Sequence, residues 1–196
     1  MNPRRKLAAI FLSDIPDFPQ TMRTDESAAL AMLRHRDAIV EVAVRKHGGT
    51  PLKSVGDSLR AIFDSAVSAV ECALLVSELT RDYNDRDGRK TPLGLRMAVH
   101  LGEMVLDGED VFGDGLQVAA GLLALAPRGR ICVSSEVYSC VQKTAGGTFS
   151  SFGRHDIAGA GQPVEVYTDG AGSSPATRGS TRPCWNSSCS AAIMWS

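Results

Sequence analysis

The chain has 196 residues, enough for one domain with a substantial apolar core. Its 21 basic and 22 acidic side chains leave a net charge of −1, which gives no general attraction to nucleic acid or to an anionic membrane. No apolar run approaches the ~20 residues of a membrane-spanning helix, and the run after the basic residues 1–6 is too short for a signal peptide, so the start reads as cytoplasmic.

Residues 6–12 read as a buried strand that ends at Asp14, and Pro16 and Pro19 then break the pattern. Residues 25–46 carry a broad apolar face at helical spacing, and His47-Gly48-Gly49 is a stop signal. Residues 50–63 read as a hairpin with its turn at Gly56-Asp57, where a two-residue loop calls for positive φ. A second helix is predicted over 65–83 and a polar loop over 84–91. Residues 93–101 alternate as a strand, Gly102-Glu103 marks a turn, and 104–106 pairs back. A second turn is expected over 107–109 and a loop over 110–114. A short apolar helix over 115–125 follows, then a buried strand over 130–133. Next come a helix over 134–141 capped by Ser134, and closing strands over 149–154 and 164–167. Hairpins mixed with helices indicate an α+β fold, with helices on one face of a mainly antiparallel sheet.

After Asp169 the composition turns to Gly, Ser, Thr, Pro and Ala. This divides the chain into a lead (1–5), a domain (6–169) and a flexible tail or linker (170–196). Cys72 and Cys132 sit in apolar patterns as small core residues. Cys140, Cys184 and Cys189 complete the set, and nothing before the tail has metal-ligand spacing.

The hairpin turn puts the Asp57 carboxylate at a tip beside the end of the first strand, where Asp14 stands. Two carboxylates on adjacent strand ends suit Mg²⁺, which takes one or two such groups plus substrate phosphates. Lys53 lies four residues before Asp57, and in an unbroken strand both would share a face.

In order and spacing, these pieces resemble the class III adenylate/guanylate cyclase catalytic domain, from about residue 6 to residue 167. The carriers are Leu12-Ser13-Asp14-Ile15, His47-Gly48-Gly49, Lys53-Ser54-Val55-Gly56-Asp57, the segment 96–103 from Arg96 to Glu103, the segment 110–120 from Asp110 to Ala120, and Pro163-Val164-Glu165-Val166-Tyr167. The resemblance implies a palm-type, ferredoxin-like sheet and a head-to-tail dimer with active sites at its interface. It implies conversion of ATP to cyclic AMP and pyrophosphate in intracellular signalling, with two Mg²⁺ or Mn²⁺ ions held by Asp14, Asp57 and the Ile15 carbonyl. Lys53 and Asp110 of the opposite subunit would read the purine, with adenine-type polarity. No nucleic-acid partner is implied, and the chain lacks the basic stripe that one would need.

The chain departs from the family at the transition-state positions. Gln117 stands where the family has Asn, and Gly121 where it has the Arg that meets the α-phosphate. A family Lys falls on Ala158. Pro16 and Pro19 lack the N–H groups expected to cradle phosphates. Losing one transition-state donor typically costs ~10²–10³ in kcat. The expectation is therefore an adenylate cyclase that is weak alone. The alternative is an inactive nucleotide-binding or regulatory module, or one half of a heterodimer.

Overall fold

The computed structural model describes residues 4–87, 92–107, 110–145 and 148–170. The tail from residue 171 on, with Cys184 and Cys189, lies outside the described residues, as do residues 88–91 and the turn pair Gly108-Glu109.

The elements are β1 (Arg4–Asp14), α1 (Phe18–Thr24), α2 (Glu26–Lys46), β2 (Thr50–Val55), β3 (Ser58–Phe63), α3 (Ala66–Asp87), β4 (Arg96–Asp107), β5 (Asp110–Phe112), α4 (Asp114–Leu125), β6 (Ile131–Ser134), α5 (Ser135–Val141), β7 (Phe149–His155) and β8 (Val164–Asp169). They build one 8-stranded sheet in the order β2-β3-β1-β4-β6-β8-β7, with β5 paired to β4 beside that path. Every pairing is antiparallel except β4 with β6.

The central strand β1 is apolar and buried from Ala8 to Leu12 because both faces of that stretch are covered. Ala9 and Phe11 face α2, α3 and α5, while Ala8, Ile10 and Leu12 face α4. Helices therefore pack on both faces of the sheet, and the expected one-sided arrangement is corrected. The apolar stripe of α4 alone did not reveal which face it would cover.

The long helices start and stop where their side chains dictate. Asp25 caps α2, its Oδ1 accepting the Ala28 N–H at 2.9 Å. After α2, Gly48 takes φ +70°. Gly49 is needed for a different reason, since a Cβ there would lie 2.5 Å from the Phe63 ring.

Four further expectations change. A short helix, α1, follows β1, with Pro19 in its first turn where a missing N–H costs nothing. α3 continues through the segment read as a loop, as far as Asp87, and the Asn84 carboxamide holds both backbone groups of Leu93 at 2.8 and 2.9 Å. Gly102-Glu103 is not a turn, because β4 pairs with β1 without interruption from Arg96 to Leu106. Gly102 is instead a crossing point, where an added Cβ would meet the Gly115 Cα at 2.9 Å. Asp110–Phe112 is a strand rather than a loop.

Ser134 precedes α5 as expected, yet its hydroxyl makes no cap bond. It sits 2.9 Å from the His100 Nδ1 instead.

Candidate functional site

Strand register places the two aspartates. β1 pairs with β3 as far as Ser13 with Leu59, so the next residues bring Asp14 beside Ser58 and the hairpin tip. At that tip Gly56 takes φ +60° and Asp57 does not take positive φ, so the turn needs glycine at its first position alone.

The tip is anchored from below. Arg36 of α2, only 2% exposed, donates to the Asp57 backbone carbonyl. The Arg36 Nε also lies 2.8 Å from the half-exposed Asp37 carboxylate, an ion pair that is not aligned as a hydrogen bond. A buried guanidinium thus fixes where Asp57 stands.

Asp14 already has a partner. Arg96 faces it across the β1–β4 pair and binds it as a fork, with Nε–Oδ1 at 2.9 Å and Nη2–Oδ2 at 2.6 Å. Donating to the Asp14 carboxylate holds the Arg96 guanidinium above its ordinary range. Burial opposes this, and the charges of Asp14, Asp17 and Asp57 add to it. The charges of three carboxylates therefore act on one cation, and Asp14 is the one in contact with it. Arg36 and Arg96 were not singled out in the sequence, although Arg36 lies on the apolar stripe of α2 with Ala29, Val40 and Ala43.

The donor set suits a hard divalent ion: two carboxylates and the Ile15 carbonyl, which otherwise accepts a long 3.3 Å bond from the Phe18 N–H. Among the described residues, no group of three or more His, Cys, Asp or Glu side chains is gathered so as to hold an ion by itself. An ion here would have to complete its shell with water or phosphate oxygens. The turn between β1 and α1 strains Asp17 to φ 61°, a left-handed conformation that Asp tolerates, and Pro16 and Pro19 flank it without donors.

Lys53 is exposed on β2. Its expected shared face with Asp57 does not follow from strand alternation, because β2 carries one extra residue between Leu52 and Val55, a bulge that breaks that alternation. Asp110 opens β5, with its backbone paired to Asp107. β2 and β5 come into contact, and Leu52 and Val111, the neighbours of Lys53 and Asp110, pack on the same apolar cluster.

Gln117 is exposed on the first turns of α4. Gly121, one turn on, faces inward, and a Cβ there would lie 2.3 Å from the Ile157 Cγ2. Ala158 is exposed in the same loop, next to Gly159, which abuts Gln117. α4 starts against Gly102 and Glu103, whereas Asp14 stands opposite Arg96. That stretch of β4 is ~20 Å long. One chain therefore does not bring the start of α4 to the aspartates.

A cleft of about 390 Å³ opens between β4, the start of α4 and the Gly159-Ala160 loop, and neither Asp14 nor Asp57 lines it. On its wall stands His100, whose imidazole is pushed below its ordinary range by burial and partly restored by Glu136. Burial pushes the thiols of Cys72 and Cys132 up to about 12 and about 11, as inert core residues require.

The sequence profile of the adenylate and guanylate cyclase catalytic domain matches residues 2–168, and the chain belongs to that family. A putative adenylate cyclase 3 of Rhizobium meliloti is 32% identical over 166 residues, which make up 84% of this chain and 28% of that protein. The crystal structure of an adenylate/guanylate cyclase/hydrolase from Silicibacter pomeroyi is similar at TM-score 0.79 and 30% identity, covering 86% of this chain and 98% of that one. The guanylyl cyclase Cya2 shares the fold at TM-score 0.72 and 21% identity, over 90% of this chain and 98% of its own. The chain spans 28%, 19% and 8% of the length of three of its curated relatives. Among the described residues, no helix is long and apolar enough to cross a membrane.

Proposed function

We propose that this domain binds ATP with Mg²⁺ or Mn²⁺ and converts it to cyclic AMP and pyrophosphate at an interface between two cyclase chains. The observation that carries the reading is the meeting of Asp14, at the end of β1, with the hairpin tip that bears Asp57. Asp14, Asp57 and the Ile15 carbonyl would hold the metal. When bound, the metal would polarise the 3′-hydroxyl and offset the charge of the leaving pyrophosphate. Lys53 would donate to a ring nitrogen of adenine, and Asp110 would accept from its 6-amino group. These two belong to one chain and the metal ligands to its partner. The same division suits the separation of α4 from the aspartates.

Turnover by two identical copies would be slow. Gln117 shifts the ribose-orienting amide by about one bond, and such ~1 Å misplacements cost up to ~10²-fold. Gly121 offers no cation to the α-phosphate, and the space its side chain would enter is filled by Ile157. That packing favours a second reading: the chain supplies the metal half of a site, and a partner cyclase chain with an intact Asn and Arg supplies the rest.

The test is calorimetry of Mn²⁺-ATP and Mn²⁺-GTP binding to wild type, Asp14→Asn and Asp57→Asn, with cyclic product assayed alongside. Binding lost in both variants, with ATP preferred, supports the proposal. Unchanged affinity in both removes the carboxylates from the site.

A further inference from the structure

We propose that Arg96 is the resident counter-ion of the carboxylate site, and that a divalent ion gains Asp14 only by displacing it. The inference rests on the carboxylate reading above and extends it to a residue which that reading leaves without a role.

Both oxygens of Asp14 are engaged by one guanidinium, at 2.9 and 2.6 Å, and the two side chains are only 13% and 27% exposed. The backbone beneath Arg96 cannot shift to relax the pair, since Leu95 and Met97 on either side are 1% exposed and β4 is hydrogen-bonded to β1 along its length. Only the Arg96 side chain is free to leave. It sits in the combined field of Asp14, Asp17 and Asp57, the field that would attract a divalent ion. A guanidinium and a metal ion sharing one carboxylate repel each other at short range in a partly desolvated setting. Occupancy by one therefore opposes occupancy by the other, and the affinity for metal is what remains after Arg96 is expelled.

Competition and support predict opposite signs. If Arg96 only braces the strand pair, removing it damages the site and weakens metal binding. If it competes, removing it tightens metal binding even though the metal-depleted protein becomes less stable.

The experiment titrates Mn²⁺ alone, without nucleotide, into wild type, Arg96→Gln, Arg96→Lys and Asp14→Asn. Free Mn²⁺ is read by electron paramagnetic resonance, and folding by circular dichroism and Tm in chelator. Arg96→Gln should bind Mn²⁺ about tenfold tighter or more, with a lower Tm in chelator that Mn²⁺ restores. Arg96→Lys, which keeps the charge and loses the fork, should fall between it and wild type. Arg96→Gln binding no tighter than wild type, while Asp14→Asn loses Mn²⁺, overturns the inference and leaves the carboxylate site standing. Asp14→Asn binding Mn²⁺ like wild type overturns both. Should Arg96→Gln fail to fold, Arg96→Lys decides alone: tighter than wild type supports the competition, and equal or weaker overturns it.

Discussion

Restoring the family's arginine at position 121 should fail unless Ile157 is changed with it. A Cβ on Gly121 would stand 2.3 Å from the Ile157 Cγ2 and 3.4 Å from its Cβ. Carbon atoms in ordinary contact sit ~3.5–4.0 Å apart, so the methyl must retreat by more than ~1 Å. Ile157 is β-branched, stiff at χ1 and 9% exposed within the α4-side core. Overpacking of this kind costs ~1–3 kcal/mol. Replacing a helical glycine returns at most ~1 kcal/mol. Gly121→Ala should therefore be neutral or destabilising by up to ~2 kcal/mol, against helix propensity. Ile157→Leu removes the offending branch at constant volume, so Gly121→Ala in that background should be stabilising by ~0.5–1 kcal/mol. Denaturant unfolding of the two single variants and the double variant gives the coupling directly. The same logic governs activity. Gln117→Asn with Gly121→Arg and Ile157→Leu should form cyclic AMP at saturating Mn²⁺-ATP ~10²-fold faster than wild type, and faster than the pair without Ile157→Leu. Zero coupling between positions 121 and 157 would refute the steric argument. A folded, ATP-binding triple variant that stays silent would place the fault in the Pro16–Pro19 turn.

Exchanging Lys53→Glu and Asp110→Cys reverses the donor and acceptor polarity offered to the base. It should move the Kd ratio toward GTP by more than tenfold, because each mismatched buried polar group costs ~1–3 kcal/mol; equal ratios before and after would remove both residues from base reading. Arg36→Ala takes away the buried donor to the Asp57 carbonyl and should cost about 2–3 kcal/mol in denaturant unfolding, with faster amide exchange at the hairpin tip. His100 has a folded-state pKa below its ordinary value of about 6.5, so the unfolded chain binds its proton more readily. Its contribution to stability is complete above pH ~6.5 and is lost as pH falls toward the lowered value. Tm should therefore drop more steeply between pH 8 and 5.5 in wild type than in His100→Gln.

The parts of this fold legible in the sequence are those whose signal is local. Apolar periodicity marked β1, α2 and α3, His47-Gly48-Gly49 marked a helix end, and Gly56-Asp57 marked a hairpin. The errors came where one residue type serves two purposes. Gly102 reads as a turn but is the place where α4 crosses β4, and only the partner glycine on α4 reveals that. Pro19 reads as a breaker but opens a helix. The nearness of Asp14 to the Asp57 hairpin tip was legible from a strand end and a Gly-Asp turn, whereas Arg96 is paired to Asp14 across 82 residues of chain, beyond the reach of any spacing rule. Arg36 left a trace, a charge on an apolar stripe. Ile157 left none, because the closure of position 121 exists only in the packed structure.

The two aspartates do not share the same local stability. Asp14 ends the central strand, paired on both sides and buried on both faces, whereas Asp57 tips a hairpin whose outer strand β2 is the sheet edge. Native-state opening proceeds from edges, where few contacts must be given up, and reaches central strands only near global unfolding. Amides of β2 should thus exchange long before those of β1. Each such excursion of the hairpin draws the Asp57 carboxylate away from Asp14 and restores it on closing, while the rest of the domain stays folded. The proposed site would then be dismantled and rebuilt many times within the lifetime of one folded molecule, and the hydrogen bond from Arg36 to the Asp57 carbonyl opposes each opening.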